Sequence, residues 1–300
     1  MCPSSDTLSQ LSIKREDLRT CCIEHHSQLQ QILTFRFEVY LQRTTVMTPV
    51  LLFVLFISLS AIPPGATDNG EKQESLDASD IIERANANIT TRLVDGDIVQ
   101  SLARNAVACT ARGCKWPKRR YVYVPIYISR RYTRSERNII IRALLTFHTS
   151  TCIRFVWRRS HRNYLHFFSG SGCWSYLGRQ SRGQAISLRK NGCLYTSTVQ
   201  HEVLHALGFA HEQVRSDRDS YVSILTQNIK PGQKHNFLKR QTNNFGTPYD
   251  FNSVMHYSKY AFSKNGQPTI LAKSNPSRNF GNARTMSNID IALVNRLYQC

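Results

Sequence analysis

The stretch His201-Glu202-Val203-Leu204-His205-Ala206-Leu207-Gly208-Phe209-Ala210-His211 sets three imidazoles and one carboxylate at spacings with a mechanical meaning. On a helix, positions i and i+4 share a face, so His201 and His205 can aim a ring nitrogen at one ion with Glu202 beside them. Gly208 lets the chain leave that helix. A glycine at a helix end adopts the left-handed conformation that side chains disfavour, which turns His211 back as a third ligand. Three protein ligands leave one position open for water, as in a catalytic zinc site, whereas structural zinc is closed by four ligands and is commonly rich in cysteine. Any one of these histidines alone would be an ordinary residue of an amphipathic helix. The five fixed positions together point to one zinc per chain.

Three hundred residues with 41% hydrophobic and 10% aromatic content allow one or two domains and a sizeable core. The formal charge of +19 is unevenly spread. Residues 105 to 300 carry 30 Lys and Arg against 7 Asp and Glu, a net +23, and residues 67 to 104 carry 4 against 8, a net −4. A basic domain behind an acidic segment could attract nucleic acid, anionic glycans, membranes or acidic protein substrates. No groove motif or aromatic-interleaved RNA signature accompanies the charge, so no nucleic-acid partner is expected.

The apolar run Val50 to Ile62 has 13 residues, short of the roughly 20 that span a bilayer, and small residues end or follow it. It resembles the core of a signal peptide placed over residues 47–66, with translation expected to begin at Met47 and residues 1–46 as upstream sequence. A signal anchor is the rival, but no stable membrane insertion is expected. Six of the nine cysteines lie in the basic domain, which with a secretion signal indicates three disulfides in an oxidising compartment. Cysteine order alone allows 15 pairings. Cys109 and Cys114 are near enough to close a small loop, and Cys173 and Cys193 flank a strand-like segment with glycine turns. Cys152 and Cys300 remain for each other. The expected location is extracellular, with storage in secretory granules as the alternative, and the expected state is a monomer.

Residues 63 to 80 are polar and read as flexible, Asn88-Ile89-Thr90 is a glycosylation sequon, and the folded part is expected from near Asn105. Tyr121 to Ser129 alternates as a strand, and Ser135 to Thr149 has helical spacing. Further strands are read at Ile153 to Trp157, Tyr164 to Phe168 and Gln184 to Leu188. The motif helix is expected to begin near Ser197, with a capping box from Ser197 to Gln200. Residues 211 to 285 are loop-rich, and a final helix runs from about Ser287 to Tyr298, opened by Ser287 and Asp290.

The histidine motif continues into Glu212, Gln213, Arg215, Asp217, Arg218 and Asp219, and Ser253-Val254-Met255-His256-Tyr257 follows later. Together these resemble the astacin family of metzincin zinc endopeptidases over essentially all of 105–300. The surroundings of Cys109 and Cys114 resemble its six-cysteine branch, which includes fish hatching enzymes and nephrosin. The resemblance implies an α+β zincin-like domain: two subdomains flanking a cleft, a twisted N-terminal sheet with two long helices, and a loop-rich C-terminal subdomain with a final helix. It also implies that Met255 forms the turn beneath the zinc and that Tyr257 is a flexible fifth ligand supporting the oxyanion, while His256 has no metal role. A phenol suits that task, since it can coordinate weakly and donate a hydrogen bond.

Val94-Asp95-Gly96-Asp97 resembles the family's propeptide switch, with valine where phenylalanine is usual, and implies that Asp97 is the latency ligand of a propeptide over 67–104. Cleavage between Arg104 and Asn105 by a trypsin-like protease would then free an ammonium that the family buries near Glu212. Burying a carboxylate alone is costly, which gives such a pairing its physical reason. The resemblance further implies that Trp174, Ser175 and Tyr176 lie on the edge strand along which an extended peptide substrate adds its backbone. The expected reaction is hydrolysis of internal peptide bonds in extracellular proteins, with Glu202 as general base and then acid. The charge suggests an acidic substrate or one in an anionic coat such as an egg envelope. The competing reading is a secreted basic glycan- or matrix-binding protein with a non-catalytic zinc.

Overall fold

The computed structural model describes residues 77–99 and 114–300. The chain opens with helix α1 (Ala78–Asn86), capped by Asp77, whose side chain accepts from the Asp80 amide at 2.9 Å. Ala78, Ile81, Ile82 and Ala85 fall at helical spacing and bury one face of α1 in the core. This corrects two expectations: the polar segment to residue 80 is not wholly flexible, since 78–80 are helical, and folded structure precedes Asn105. Composition averaged over the segment hid the apolar stripe.

Strands β1 (Leu93–Val94) and β2 (Ile98–Val99) form a tight antiparallel pair, its turn built on positive φ at Asp95 and Gly96. Then follow β3 (Val122–Ile128), α2 (Arg134–Ser150), β4 (Ile153–Trp157), β5 (Tyr164–Phe168), β6 (Cys173–Tyr176) and β7 (Gly183–Leu188). Helix α3 (Thr196–Leu207), strands β8 (Val222–Ile224) and β9 (Ile270–Ala272), and helix α4 (Asn288–Tyr298) complete the named elements. The larger sheet has the order β1-β2-β6-β7-β5-β3-β4. Strand β3 runs parallel to β4 and β5, β5 runs parallel to β7, and β6 is antiparallel to β7.

Helices α2 and α4 carry full capping boxes from Thr133 with Glu136 and from Ser287 with Asp290. The expected box at Ser197 does not form. Helix α3 begins at Thr196 behind Tyr195, with no side-chain cap, because Gln200 is drawn inward to donate to Thr146 Oγ1 and accept from the Met286 amide.

One core fills the space between the inner sheet face and helices α2 and α3, with Ile126, Phe147, Phe167, Ile186, Val203 and Leu207 fully enclosed. A second core gathers Val222, Phe237, Tyr249, Phe251, Tyr257 and Ile270 from the loop-rich C-terminal part. This two-part α+β architecture matches the expected fold. The described residues all belong to one compact unit, Lys72–Cys300. Disulfides join Cys152 to Cys300 and Cys173 to Cys193. Cys114 is also disulfide-bonded, but its expected partner Cys109 lies outside the described residues. So do residues 1–46, the signal-like segment 47–66, Arg104 and Asn105. Among the described residues no helix is long and apolar enough to cross a membrane.

Candidate metal and catalytic site

Helix α3 ends at Gly208, whose φ of 112° reverses the chain while its amide donates to Leu204 and His205 carbonyls. The reversal aims the Phe209 carbonyl back at His205 Nδ1, 2.7 Å away. On the neighbouring turn the Val254 carbonyl receives His201 Nδ1 at 2.8 Å. With each Nδ1–H committed to a carbonyl, the Nε2 atoms of His201 and His205 carry lone pairs. These two atoms lie 3.1 Å apart, and His211 Nε2 lies 3.1 Å from His201 Nε2. Facing lone pairs at such distances repel unless a cation sits among them, so the donor set fits zinc.

The fourth member of the cluster is Asp97, brought in from the turn between β1 and β2. Its Oδ2 lies 2.9 Å from His201 Nε2 and 3.2 Å from His211 Nε2, and its Oδ1 lies 3.2 Å from His205 Nε2. All four side chains are buried, and each offers a ligand atom to a common point. Burial alone would raise the Asp97 carboxyl, but positive charge on the His211, His205 and His201 imidazoles, which a cation among neutral rings would equally supply, outweighs it and holds the group well below the usual carboxylate range. Burial pushes His205 down to about 4, keeping it neutral and able to ligate.

Glu202 is fully buried beside this cluster, and neither carboxyl oxygen has a hydrogen-bond partner among the described residues. Burial first and the Asp97 charge second push its pKa well above the usual range. A carboxyl so placed binds a proton readily, as a general base requires. The Tyr257 ring lies tilted against His211, with ring centroids 4.7 Å apart, and its hydroxyl donates to the Asp95 carbonyl at 2.6 Å.

Met255 is buried in the first core, and its carbonyl accepts from the Glu212 amide at 3.0 Å. The turn carrying it is pinned by Asp290 of α4, which accepts from Ser253 Oγ at 2.6 Å and from the Val254 amide at 3.0 Å. Both ring nitrogens of His256 are engaged elsewhere, with the Tyr249 hydroxyl at 2.8 Å and the Tyr257 carbonyl at 2.7 Å. Glu212 is buried as expected but already has partners: Arg215 Nη1 donates at 2.9 Å and the Asp250 amide at 2.8 Å. Burial still lifts Glu212 to about 7 against the pull of Arg215.

In β6 the backbone of Trp174, Ser175 and Tyr176 meets β2, with Ile98 paired to Ser175 and Val99 to Tyr176. Several bracing groups carry no sequence signature of their own. Asn86 spans from α1 to Gly96 and Cys173, Asn236 Oδ1 accepts from the Gly96 amide, and Arg240 pairs with Asp95. Between this clasp and the site lies a cavity of about 290 Å³ bordered by Glu83, Asp97, His201, Lys230, Asn236 and Tyr257.

The sequence matches the profile of the peptidase family described as Astacin over residues 109–299. It is 40% identical over 263 residues to the low choriolytic enzyme of Oryzias latipes, covering 82% of this chain and 97% of that protein. It is 43% identical over 232 residues to high choriolytic enzyme 2 of the same fish, covering 76% and 83%. The solved structure of the hatching enzyme zinc-protease high choriolytic enzyme 1 of Oryzias latipes superposes with a TM-score of 0.61 at 44% identity, over 62% of this chain and 95% of that one. With three convergent imidazoles, the buried Glu202 and a profile match across the whole histidine region, this chain belongs to the astacin family of zinc metalloendopeptidases.

Proposed function

We propose that the chain is a secreted zymogen, held latent by Asp97 and converted by a trypsin-like protease cutting after Arg104 into an endopeptidase of extracellular proteins. The observation that carries this reading is the Asp97 carboxylate, seated within 3.2 Å of all three histidine Nε2 atoms from a segment that precedes the family match. An acidic side chain on the ligand cluster would take the position that the attacking water needs.

Zinc held by His201, His205 and His211 would act as a Lewis acid, lowering the pKa of water and polarising a scissile carbonyl. Glu202 takes the proton of the attacking water and returns it to the departing amine nitrogen. Tyr257, released from the Asp95 carbonyl when the segment leaves, donates its hydroxyl to the oxyanion. The backbone of Trp174 to Tyr176, now paired to β2, would become a free sheet edge for an extended substrate. The new ammonium at Asn105 would join Glu212, whose elevated pKa reflects a carboxyl not fully compensated by Arg215. Similarity to choriolytic enzymes and the basic surface support egg-envelope proteins, acidic or set in an anionic coat, as substrates.

The test is Asp97→Ala in the full chain. It should hydrolyse a neutral fluorogenic peptide without prior cleavage, at least about tenfold faster than the uncleaved wild type. Equal activity of the two uncleaved proteins would remove Asp97 from the latency role.

A further inference from the structure

Between Glu136 and Glu202 the sequence has no acidic residue but ten Lys or Arg. That stretch builds β4, β5, β6 and β7, so most of the large sheet is free of negative charge. Its inner face is buried, and its outer face carries rings. Strand β3 turns Tyr123 and Tyr127 outward, β5 turns out Tyr164, His166 and Phe168, and β6 turns out Trp174 and Tyr176. Tyr127 to His166, His166 to Phe168, Phe168 to Trp174 and Trp174 to Tyr176 are spaced 5.0, 5.6, 5.7 and 6.4 Å between ring centroids, a continuous band across four strands.

The band is possible because β7, which runs beneath it, presents only small outward residues. Gly183 pairs with Tyr164, Ala185 with His166 and Ser187 with both Phe168 and Trp174. A side chain at Gly183 would come within 2.4 Å of the Tyr164 ring. Cations border the band: the Arg158 guanidinium stacks 3.7 Å over Tyr164, Arg154 lies 4.5 Å over Tyr121, and Arg159, Arg162 and Arg182 are exposed at the strand ends. Aromatic rings bind the apolar faces of sugar rings, and guanidinium groups bind sulfate in fixed forked geometry.

We infer that this outer sheet face is a binding surface for an anionic, sulfated polysaccharide, separate from the cleft on the helix side of the sheet. The choice of a sugar polyanion rests on the proposed secretion, because sulfated polysaccharides belong to the extracellular space. The surface would hold the enzyme on a glycan coat while the cleft works on nearby protein, and the side chains of Trp174 and Tyr176 would extend it to the edge whose backbone borders the cleft.

The test uses the full chain carrying Glu202→Gln, so that binding is read without turnover, and a sulfated heparin decasaccharide as probe. Titration calorimetry should show that Arg158→Gln with Arg162→Gln weakens binding about tenfold. Tyr127→Ser with His166→Ser should weaken it about fivefold at an unchanged salt dependence. Lys264→Gln with Lys273→Gln removes the same charge from the C-terminal part and should stay within about twofold of wild type. Equal losses for the two cation pairs, or no loss for the ring pair, would overturn the proposal, since net charge alone would then explain binding. So would tighter binding of an RNA or poly-glutamate oligomer of equal charge. Secretion is checked separately by recovering the processed chain from culture medium, so a failure of that reading is distinguishable from a failure of this surface.

Discussion

Glu202 gains its chemistry from what does not touch it. Both carboxyl oxygens are buried without partners among the described residues, beside a ligand cluster that already holds a negative charge. Glu202→Gln keeps the shape and removes the base. Turnover of the cleaved enzyme should fall at least about 10²- to 10⁴-fold while metal analysis still finds about one zinc per chain. Activity near wild type would assign the base to another residue. The histidines and Glu202 were legible because their spacing along one helix is itself geometry. Asp95, Asn236 and Arg240 were not, since a carbonyl that receives Tyr257 or an amide that braces Gly96 can come from almost any residue type.

Helix ends do much of the positioning. A side chain at Gly208 would meet only Leu297, at an ordinary contact of 3.9 Å, so the demand there is conformational: φ of 112° is costly for any other residue. Gly208→Ala should destabilise the protein by about 1–2 kcal/mol and lower zinc occupancy by displacing His211; an unchanged melting temperature together with full zinc content would refute this. At the other end of the sheet, the Phe155 amide donates to His148 Nε2 at 2.8 Å, joining β4 to α2. Burial first and Arg154 second depress His148 from 6.5 to about 4. A base with a depressed folded pKa binds protons more weakly when folded. Its stabilising share is therefore full above about pH 6.5 and is lost as pH falls toward 4, amounting to up to about 3 kcal/mol. His148→Gln should flatten the melting-temperature profile across that window, and a profile as steep as wild type would place the titration elsewhere. Strands β4 and β5 were readable to the residue as strand-like pieces, and helix α2 from its periodicity. The start of α3 was misread because Gln200 found tertiary partners that outcompeted a local cap.

Across the molecule, the bond between Cys152 and Cys300 closes a separation of 148 residues and ties the end of α4 to the start of β4. On the loop-entropy account Cys300→Ser should cost about 4–5 kcal/mol, measured by denaturant unfolding; a loss under about 1 kcal/mol would show that packing of α4 alone suffices. The ordered sequence was enough to point to the zinc ligands, the opening of α4 at Ser287 and Asp290, the four strands β3, β4, β5 and β7 to within a residue, and the basic domain. Each rests on neighbours a few positions apart or on composition, which backbone geometry converts directly into structure. The assembly of the site needed the folded chain. Asp97 meets His201 across 104 positions, Tyr257 meets Asp95 across 162, and Asp290 pins the turn that carries Met255. The sheet order places β6 beside β2 although three strands and helix α2 lie between them along the chain. Such contacts depend on which buried surfaces pack together, a property of the whole core that no local spacing records.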